Sequence, residues 1–301
     1  MQARPLARLT PERAQRILAP SSQTEWTGKT SQGISWKVSL GDASTVLRGL
    51  PAASFDCVVT SPPYYWLRDY GVEGQIGLED TVEGYVDSVC AVLDQCRRVL
   101  SSDGLLFLNL GDTYYSGKGE SQGRDRKSAK RRFGLRAVDK SGGMGIRLQR
   151  KSLIGIPWRV ALRLASDGWV LRSAIIWHRD KCLPEAVKDR PGRSYEYVFM
   201  LAKERRYHFN KKPLVDQRVE EDMWTISART PNSNGLDTAP YPEELVERCL
   251  EIGCKQGGRV LDPFLGSGTT LRVAGKMRHP SHGIDLNRTF CEYSAASMRN
   301  L

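Results

Sequence analysis

Residues 259–270 have the sequence RVLDPFLGSGTT, and this stretch decides the fold. It begins as a short apolar strand, passes through a loop containing Gly266 and Gly268, and continues as a helix predicted over 270–277. Glycine lets a backbone approach a ligand closely because it carries no Cβ. No lysine follows the second glycine, so the loop is not a P-loop, and the full GxGxxG fingerprint is also absent.

An acidic residue ends the strand predicted next along the chain. This strand covers 282–285 and finishes at Asp285. In dinucleotide-binding folds, an acid at this place accepts hydrogen bonds from ribose hydroxyls. The two elements together predict a nucleoside-containing ligand, without specifying which one.

Strands and helices alternate over the rest of the chain. The predicted strands are 34–40, 55–60, 105–110, 169–178, 195–202, 259–261 and 282–285, and the predicted helices are 83–100, 153–165, 242–252 and 270–277. This alternation predicts an α/β fold: a doubly wound, mostly parallel, Rossmann-like sheet with helices on both faces. Residues 1–33 lack periodicity and are predicted to be a disordered tail before a single domain, 34–301.

Positive charge is concentrated in one segment. The formal net charge is +11, and residues 117–151 contribute +9 of it, with twelve Lys and Arg against three Asp and Glu. Such a concentration is typical of a nucleic-acid binder, although a solvated loop that keeps the protein soluble is left open by charge alone. On the first interpretation, residues 117–151 form a mobile insertion that binds nucleic acid. Its predicted nucleic-acid-contacting residues are Lys118, Arg124, Arg126, Lys127, Lys130, Arg131, Arg132 and Arg136.

Several classes of protein are disfavoured by composition. The seven cysteines are odd in number, scattered and without a CxxC pair, so neither a disulfide framework nor a metal site is expected. No apolar run is long enough to cross a bilayer, and no secretory leader is visible. We therefore expect a cytoplasmic protein that does not bind a membrane.

A second motif, Ser61-Pro62-Pro63-Tyr64, follows the strand at 55–60. The prolines fix the backbone and leave the Pro62 carbonyl able to accept a hydrogen bond. A hydroxyl, a carbonyl and an aromatic face at one place can together hold a base that carries an amino group. Taken alone, the same residues are more typical of an ordinary proline turn with a core tyrosine.

The two motifs together resemble the amino-group DNA methyltransferases that use S-adenosylmethionine. More narrowly, the chain is similar to their β group, in which the catalytic motif precedes the cofactor motif. The resemblance runs from Trp36 to the end of the chain. It is supported by residues 60–64, 262–269 and 283–285, by Tyr241-Pro242-Glu243, and by the stretches 172–178 and 193–201.

The resemblance implies a role for each matching residue. Ser61, Pro62, Pro63 and Tyr64 would be catalytic: Tyr64 would stack on a base rotated out of the duplex, and the Ser61 hydroxyl and Pro62 carbonyl would accept hydrogen bonds from its amino group. The implied cofactor residues are Asp42, Thr60, Tyr241, Asp262, Pro263, Phe264, Gly266, Ser267, Gly268, Thr269 and Asp285.

Within that set, Asp285 would bind the ribose, Asp42 would lie near the adenine, and Asp262 with its loop would cradle the methionine part. Tyr241 would close the methionine end. The family often has His-Pro-Ala-Pro-Phe before the next helix, whereas this chain has Asp-Thr-Ala-Pro-Tyr at 237–241.

The choice of target base depends on the first residue of the catalytic motif. Methylation of cytosine carbon 5 would need a nucleophilic cysteine after a proline, and no Pro-Cys pair occurs. Serine at position 61 resembles the enzymes that methylate N4 of cytosine, and adenine N6 stays as the alternative. An inactive DNA-binding module and a small-molecule methyltransferase are less favoured, because both motifs are intact and the +9 segment suits DNA. RNA is also less favoured, since the motif order resembles DNA-acting enzymes.

The partners follow from the same resemblance. Double-stranded DNA is the expected substrate, in the nucleoid if the host is bacterial, and a restriction endonuclease is a candidate partner. Target recognition in the β group usually lies between the last catalytic strands and the helix before the cofactor strand. Here that interval, 203–237, is short for a separate domain and is predicted to be a short recognition region. The basic insertion at 117–151 is the better candidate for contacts with the DNA phosphates.

Overall fold

A computed structural model describes residues 22–115, 148–181, 185, 187–228 and 240–301 of the chain. The strands are β1 (Glu25–Lys29), β2 (Ser35–Leu40), β3 (Phe55–Thr60), β4 (Leu100–Leu110), β5 (Val170–Asp180), β6 (Tyr195–Ala202), β7 (Met223–Ser227), β8 (Val260–Asp262) and β9 (Ser281–Asp285). The helices are α1 (Ala43–Arg48), α2 (Val82–Val99), α3 (Ile156–Ser166), α4 (Lys212–Val215), α5 (Glu243–Gly253), α6 (Thr269–Lys276) and α7 (Arg288–Arg299).

The nine strands form one sheet in the order β1-β2-β9-β8-β3-β4-β6-β5-β7. Five of the neighbouring pairs are parallel and three, β1–β2, β4–β6 and β5–β6, are antiparallel. The predicted mostly parallel sheet is therefore confirmed. Because β3 and β8 are neighbours, the carboxyl ends that carry the two sequence motifs lie side by side.

Apolar side chains project from both faces of the sheet, because successive residues of a strand point to opposite faces. On β3, Val58 packs into a core with α1, α2 and α3, while Cys57 and Val59 pack into a second core with α5 and α6. A strand buried on both faces needs consecutive apolar residues, and Cys57, Val58 and Val59 of β3 supply them. Helices therefore cover both faces, which confirms the doubly wound architecture.

The prediction of a disordered tail over 1–33 is wrong for its last part. Residues 25–29 form β1, which pairs antiparallel with β2, and Trp26 is buried with Trp36 in a third core that includes α7. Gly28 is needed there, because a Cβ would lie 2.6 Å from the Trp36 ring. A five-residue strand with one large apolar residue gives too little periodicity to detect. Residues 1–21 lie outside those described.

The predicted recognition interval 203–237 contributes α4 and β7, and β7 extends the sheet beside β5. Part of this interval therefore belongs to the sheet itself.

Within the described residues, no helix is long and apolar enough to cross a membrane, and no group of three or more potential metal ligands occurs. The six described cysteines are buried and unpaired.

Candidate active site

A cavity of about 350 Å³ opens at the carboxyl ends of the central strands. The predicted site residues that line it are Asp42, Ser61, Pro62, Pro63, Tyr64, Tyr241, Pro263, Phe264, Gly266, Ser267, Thr269 and Asp285. Thr60, Asp262 and Gly268 are not part of the wall and lie behind it. The structure thus brings two motifs that are about two hundred residues apart onto one cavity.

Asp262 is the hydrogen-bonding centre behind the cavity wall. The residue is fully buried, and its carboxylate accepts hydrogen bonds from the hydroxyls of Thr60 (2.7 Å), Thr270 (2.6 Å) and Tyr241 (3.1 Å). It also accepts one from the backbone N–H of Phe264 at 3.1 Å. Burial raises the pKa of Asp262 and these hydrogen bonds oppose that rise. Through these hydrogen bonds Asp262 joins β3, β8 and α6, and its contact with the cofactor stays a prediction.

The glycine loop after β8 has a conformation that few other residues adopt. Gly266 and Gly268 have φ angles of 53° and 81°. A Cβ on Gly268 would lie 2.7 Å from Ser294 Oγ, and Ser294 Oγ in turn donates a hydrogen bond to the Gly266 carbonyl at 3.0 Å. The loop is held against α7 by these contacts, so Gly268 serves close packing and Gly266 faces the cavity.

Asp285 lies in the wall at the end of β9. Its two carboxylate oxygens accept hydrogen bonds from the backbone N–H groups of Gly266 and Asn287, each at 2.7 Å. Burial raises the pKa of Asp285 to about 6, and the backbone donors act in the opposite direction. A half-buried acid fixed at this place is suited to accepting hydrogen bonds from a ligand's hydroxyls.

The wall beside Asp285 contains apolar and aromatic side chains that the sequence did not single out. Tyr70 and Phe290 meet edge to face with ring centroids 5.9 Å apart, and Leu286 is part of the same wall. Asp42 caps α1 by accepting hydrogen bonds from the Thr45 N–H and hydroxyl, both at 2.8 Å. This end of the cavity therefore suits a flat ring joined to a polyhydroxyl group.

The opposite end of the cavity is formed by the SPPY motif. The prolines end β3, and the Pro63 carbonyl accepts a hydrogen bond from Tyr85 OH at 2.8 Å, which anchors the turn to α2. The Tyr64 hydroxyl lies deep in the wall, 2.5 Å from Glu196 Oε2. Burial, reinforced by the negative charge of Glu196, raises the pKa of Tyr64 well above its ordinary value, so the hydroxyl keeps its proton.

Sequence reasoning missed three polar residues around Tyr64, namely Asn109, Arg179 and Glu196. All three line the cavity. The signal was present, since Asn109 interrupts the apolar run LLFLNL and Glu196 interrupts YEYVFMLA. Polar side chains inside buried strands need partners, and therefore often mark a site.

The predicted DNA-contacting residues all belong to the stretch between β4 and α3. Lys118, Arg124, Arg126, Lys127, Lys130, Arg131, Arg132 and Arg136 lie outside the residues that the structure describes. Their role stays a prediction from charge.

Comparisons with known proteins identify the family of this chain. The family model described as DNA methylase (N6_N4_Mtase) matches residues 55–296. The type II methyltransferase M.SmaI of Serratia marcescens is 40% identical over 264 residues, which cover 85% of this chain and 88% of that protein. The type II methyltransferase M.Cfr9I of Citrobacter freundii is 40% identical over 258 residues, 84% of each.

Two solved structures share the fold. The PvuII DNA methyltransferase, described as cytosine-N4-specific, has a TM-score of 0.68 at 18% identity, over 92% of this chain and 90% of that chain. The protein TTHA0409 of Thermus thermophilus, solved with S-adenosyl-L-methionine, has a TM-score of 0.59 at 24% identity, over 87% of this chain and 92% of that one. At these identities the likeness establishes the architecture only.

Proposed function

The chain belongs to the DNA methylase family, and on this basis we propose that it transfers a methyl group from S-adenosylmethionine to the exocyclic N4 of cytosine in double-stranded DNA. The observation that carries the proposal is the single cavity on which the SPPY motif and the glycine loop meet. The cofactor and the family activity follow from membership. The choice of cytosine rests on Ser61.

The residues of the cavity fit S-adenosylmethionine. A volume of about 350 Å³ lies within the usual range for small-molecule sites, roughly 300–1,000 Å³. Tyr70, Leu286 and Phe290 would hold the adenine ring, and the Asp285 carboxylate would accept hydrogen bonds from the ribose hydroxyls. The glycine loop and Tyr241 would border the methionine part. When bound, the cofactor supplies a methyl group on a positively charged sulfur, which is a good leaving group.

The SPPY residues would orient the target amino group. A base inside a duplex hides this group in the stack, so the target base must first rotate out. Tyr64 would stack against it, while the Ser61 hydroxyl and Pro62 carbonyl accept hydrogen bonds from the amino hydrogens. These bonds direct the nitrogen lone pair towards the methyl group, and close, in-line placement supplies most of the rate acceleration.

Ser61 supports cytosine as the target. It begins the motif at the end of β3, lies in the cavity wall, and has its Oγ 3.5 Å from Tyr64 OH. With a serine at this place, the motif resembles that of the cytosine-N4 branch of the amino-methyltransferases. Adenine N6 is the other reaction of the family, and the experiment below separates the two.

The wider setting is part of the proposal. Similarity to type II methyltransferases supports a role in restriction–modification, in which methylation protects sites from a partner endonuclease of the same specificity. Such a pair would act on the host DNA, and we therefore propose that the protein works in the cytoplasm.

The test is to incubate the purified full chain with methyl-labelled cofactor and duplex DNA, digest the DNA to nucleosides and identify the labelled product by mass spectrometry. We expect N4-methylcytosine. N6-methyladenine would contradict the cytosine assignment, and no labelled base would overturn the proposed activity.

A matched pair of serine variants checks the role of Ser61. Ser61→Ala should lower the rate of transfer more than DNA affinity, because its hydrogen bond matters mainly during transfer. Ser166→Ala is the control, since Ser166 is exposed and bonds within α3, to the Leu162 carbonyl. Equal rates in the two variants would remove Ser61 from the mechanism.

A further inference from the structure

Glu196 is an ionisable residue in the cavity wall that substrate stacking does not require. Its side chain is only 12% exposed and comes from β6. The carboxylate accepts hydrogen bonds from Tyr64 OH (2.5 Å), Asn109 Nδ2 (3.2 Å) and Arg179 Nη1 (3.1 Å). A phenylalanine at position 64 would give the same ring face for stacking. The tyrosine hydroxyl and its carboxylate partner therefore need another explanation.

The hydrogen bonds between Ser61, Tyr64 and Glu196 have a defined direction. An ionised carboxylate can only accept, so Tyr64 donates to Glu196. The Tyr64 oxygen can then accept from Ser61 Oγ, which lies 3.5 Å away. This separation is at the outer limit of a hydrogen bond, and such contacts often tighten when substrate binds.

Asn109 reinforces the same direction. Its Nδ2 donates to both Glu196 Oε2 and the Tyr197 carbonyl, which fixes the amide. Its Oδ1 is a second acceptor for Tyr64 OH at 3.1 Å, but the bond to the carboxylate is shorter and charge-assisted. Arg179 balances the charge of Glu196 and is held by the Arg193 carbonyl at 2.9 Å.

We propose that Ser61, Tyr64 and Glu196 form a proton-accepting chain that keeps the Ser61 lone pairs directed at the target amino group and removes its proton. The inference rests on the proposed function, since it needs an amino substrate beside Ser61. Glu196 is a positioning residue and final proton acceptor that acts through Tyr64.

Methyl transfer and proton removal conserve atoms and charge. The amino nitrogen uses its lone pair to form the bond to the methyl carbon, and the carbon–sulfur bond breaks with its electron pair left on sulfur. The nitrogen then carries a positive charge. One of its protons passes to Ser61 Oγ, the Ser61 proton passes to the Tyr64 oxygen, and the Tyr64 proton passes to Glu196 Oε2. The products are a neutral methylamino group and a neutral carboxylic acid, which loses its proton to water after the DNA leaves.

The experiment measures single-turnover methyl transfer by the full chain with cofactor and duplex DNA. The variants are Glu196→Gln, Tyr64→Phe and the double variant. The control is Glu244→Gln, the same change on α5 at a side chain that is 50% exposed and paired with Arg248 outside the cavity. Cofactor affinity and thermal melting are measured for each variant.

We expect Glu196→Gln and Tyr64→Phe each to slow transfer by about 100-fold, the lower end of what positioned proton transfer contributes, with cofactor affinity unchanged. The double variant should be no slower than either single variant, because each cuts the same chain. Glutamine can still accept the Tyr64 hydrogen bond, so a role limited to anchoring the ring predicts no loss.

Two results would overturn the inference. One is a wild-type rate in either single variant. The other is a further loss of transfer rate when Glu196→Gln is added to Tyr64→Phe. Glu196 would then act without the Tyr64 hydroxyl, through Arg179 and the cavity wall. Tyr64→Phe leaves the Arg179 pair intact and decides the matter if Glu196→Gln does not fold. Failure of the proposed function is distinct, since the wild-type protein would then methylate no DNA.

Discussion

Cofactor binding should weaken as the pH falls through 6, because of Asp285. This carboxylate is fixed at the end of β9 by the N–H groups of Gly266 and Asn287, and burial raises its pKa to about 6. Ribose hydroxyls donate hydrogen bonds, so they bind the ionised form better than the protonated one. The perturbation is a change of buffer from about pH 7.5 to about pH 5, which crosses this pKa.

The magnitude follows from the ionised fraction. About one pH unit below the pKa, roughly one molecule in ten carries the ionised carboxylate, so the apparent Kd should rise about tenfold, or about 1.4 kcal/mol. Folding stability changes in the other direction. Without ligand, the folded protein favours the protonated form of Asp285, because its pKa of about 6 is higher than the value of about 4 in the unfolded chain. The contribution of Asp285 to the free energy of unfolding is therefore fully present below about pH 4 and is lost as the pH rises through about 6.

Calorimetric titration of S-adenosylmethionine at a series of pH values checks the prediction. Asp285→Asn is the control, because it keeps the shape of the side chain and removes its titration. Its affinity should be low and nearly independent of pH over this interval. A wild-type Kd that stays constant from about pH 7.5 to about pH 5, or an unchanged slope in Asp285→Asn, would refute the reasoning about Asp285.

Three further outcomes are expected. Asp262→Ala should abolish cofactor binding, which calorimetry measures, and unchanged affinity would contradict the assignment of Asp262 to the cofactor site. The same variant should lower the free energy of unfolding, measured by urea titration, by about 2 kcal/mol or more, because it leaves several buried donors unpaired. Gly268→Ala should destabilise the protein more than Gly33→Ala: both glycines have φ near 80°, but only at position 268 would the added Cβ contact Ser294. Equal melting temperatures of the two variants would contradict this. Replacing Lys130, Arg131 and Arg132 with alanine should flatten the slope of log DNA affinity against log salt concentration by up to about 3 units. Filter binding measures this slope, and a solvated loop predicts that it does not change.

Much of the fold could be predicted because its signals are local. The apolar run 195–202 gave the bounds of β6, and the run at 55–60 gave those of β3. The position of each motif at the carboxyl end of a strand followed from the turn residues after it. Because strand ends of a parallel sheet share one edge, the two motifs could be placed on one site from sequence alone.

What could not be predicted depends on contacts between distant residues. The pairing of Tyr64 with Glu196 needs β6 to run antiparallel beside β4, and nothing in either strand specifies that neighbour. The hydrogen bonds of Asp262 could not be predicted either, because its partners Thr60 and Tyr241 come from other parts of the chain. Strand β1 was missed because most of its five residues are polar or small.

The strand order also has a consequence for synthesis on the ribosome. β2 and β3 come early in the chain, yet β9 and β8 lie between them in the sheet. The β1–β2 hairpin therefore cannot join β3 and β4 until residues 260–285 have left the exit tunnel, and pairing over such a separation is slow. We expect the nascent chain to depend on chaperones over this interval, with its exposed strand edges open to aggregation. The cavity spans the ends of β2, β9, β8 and β3. If S-adenosylmethionine binds there as proposed, it should stabilise the completed sheet.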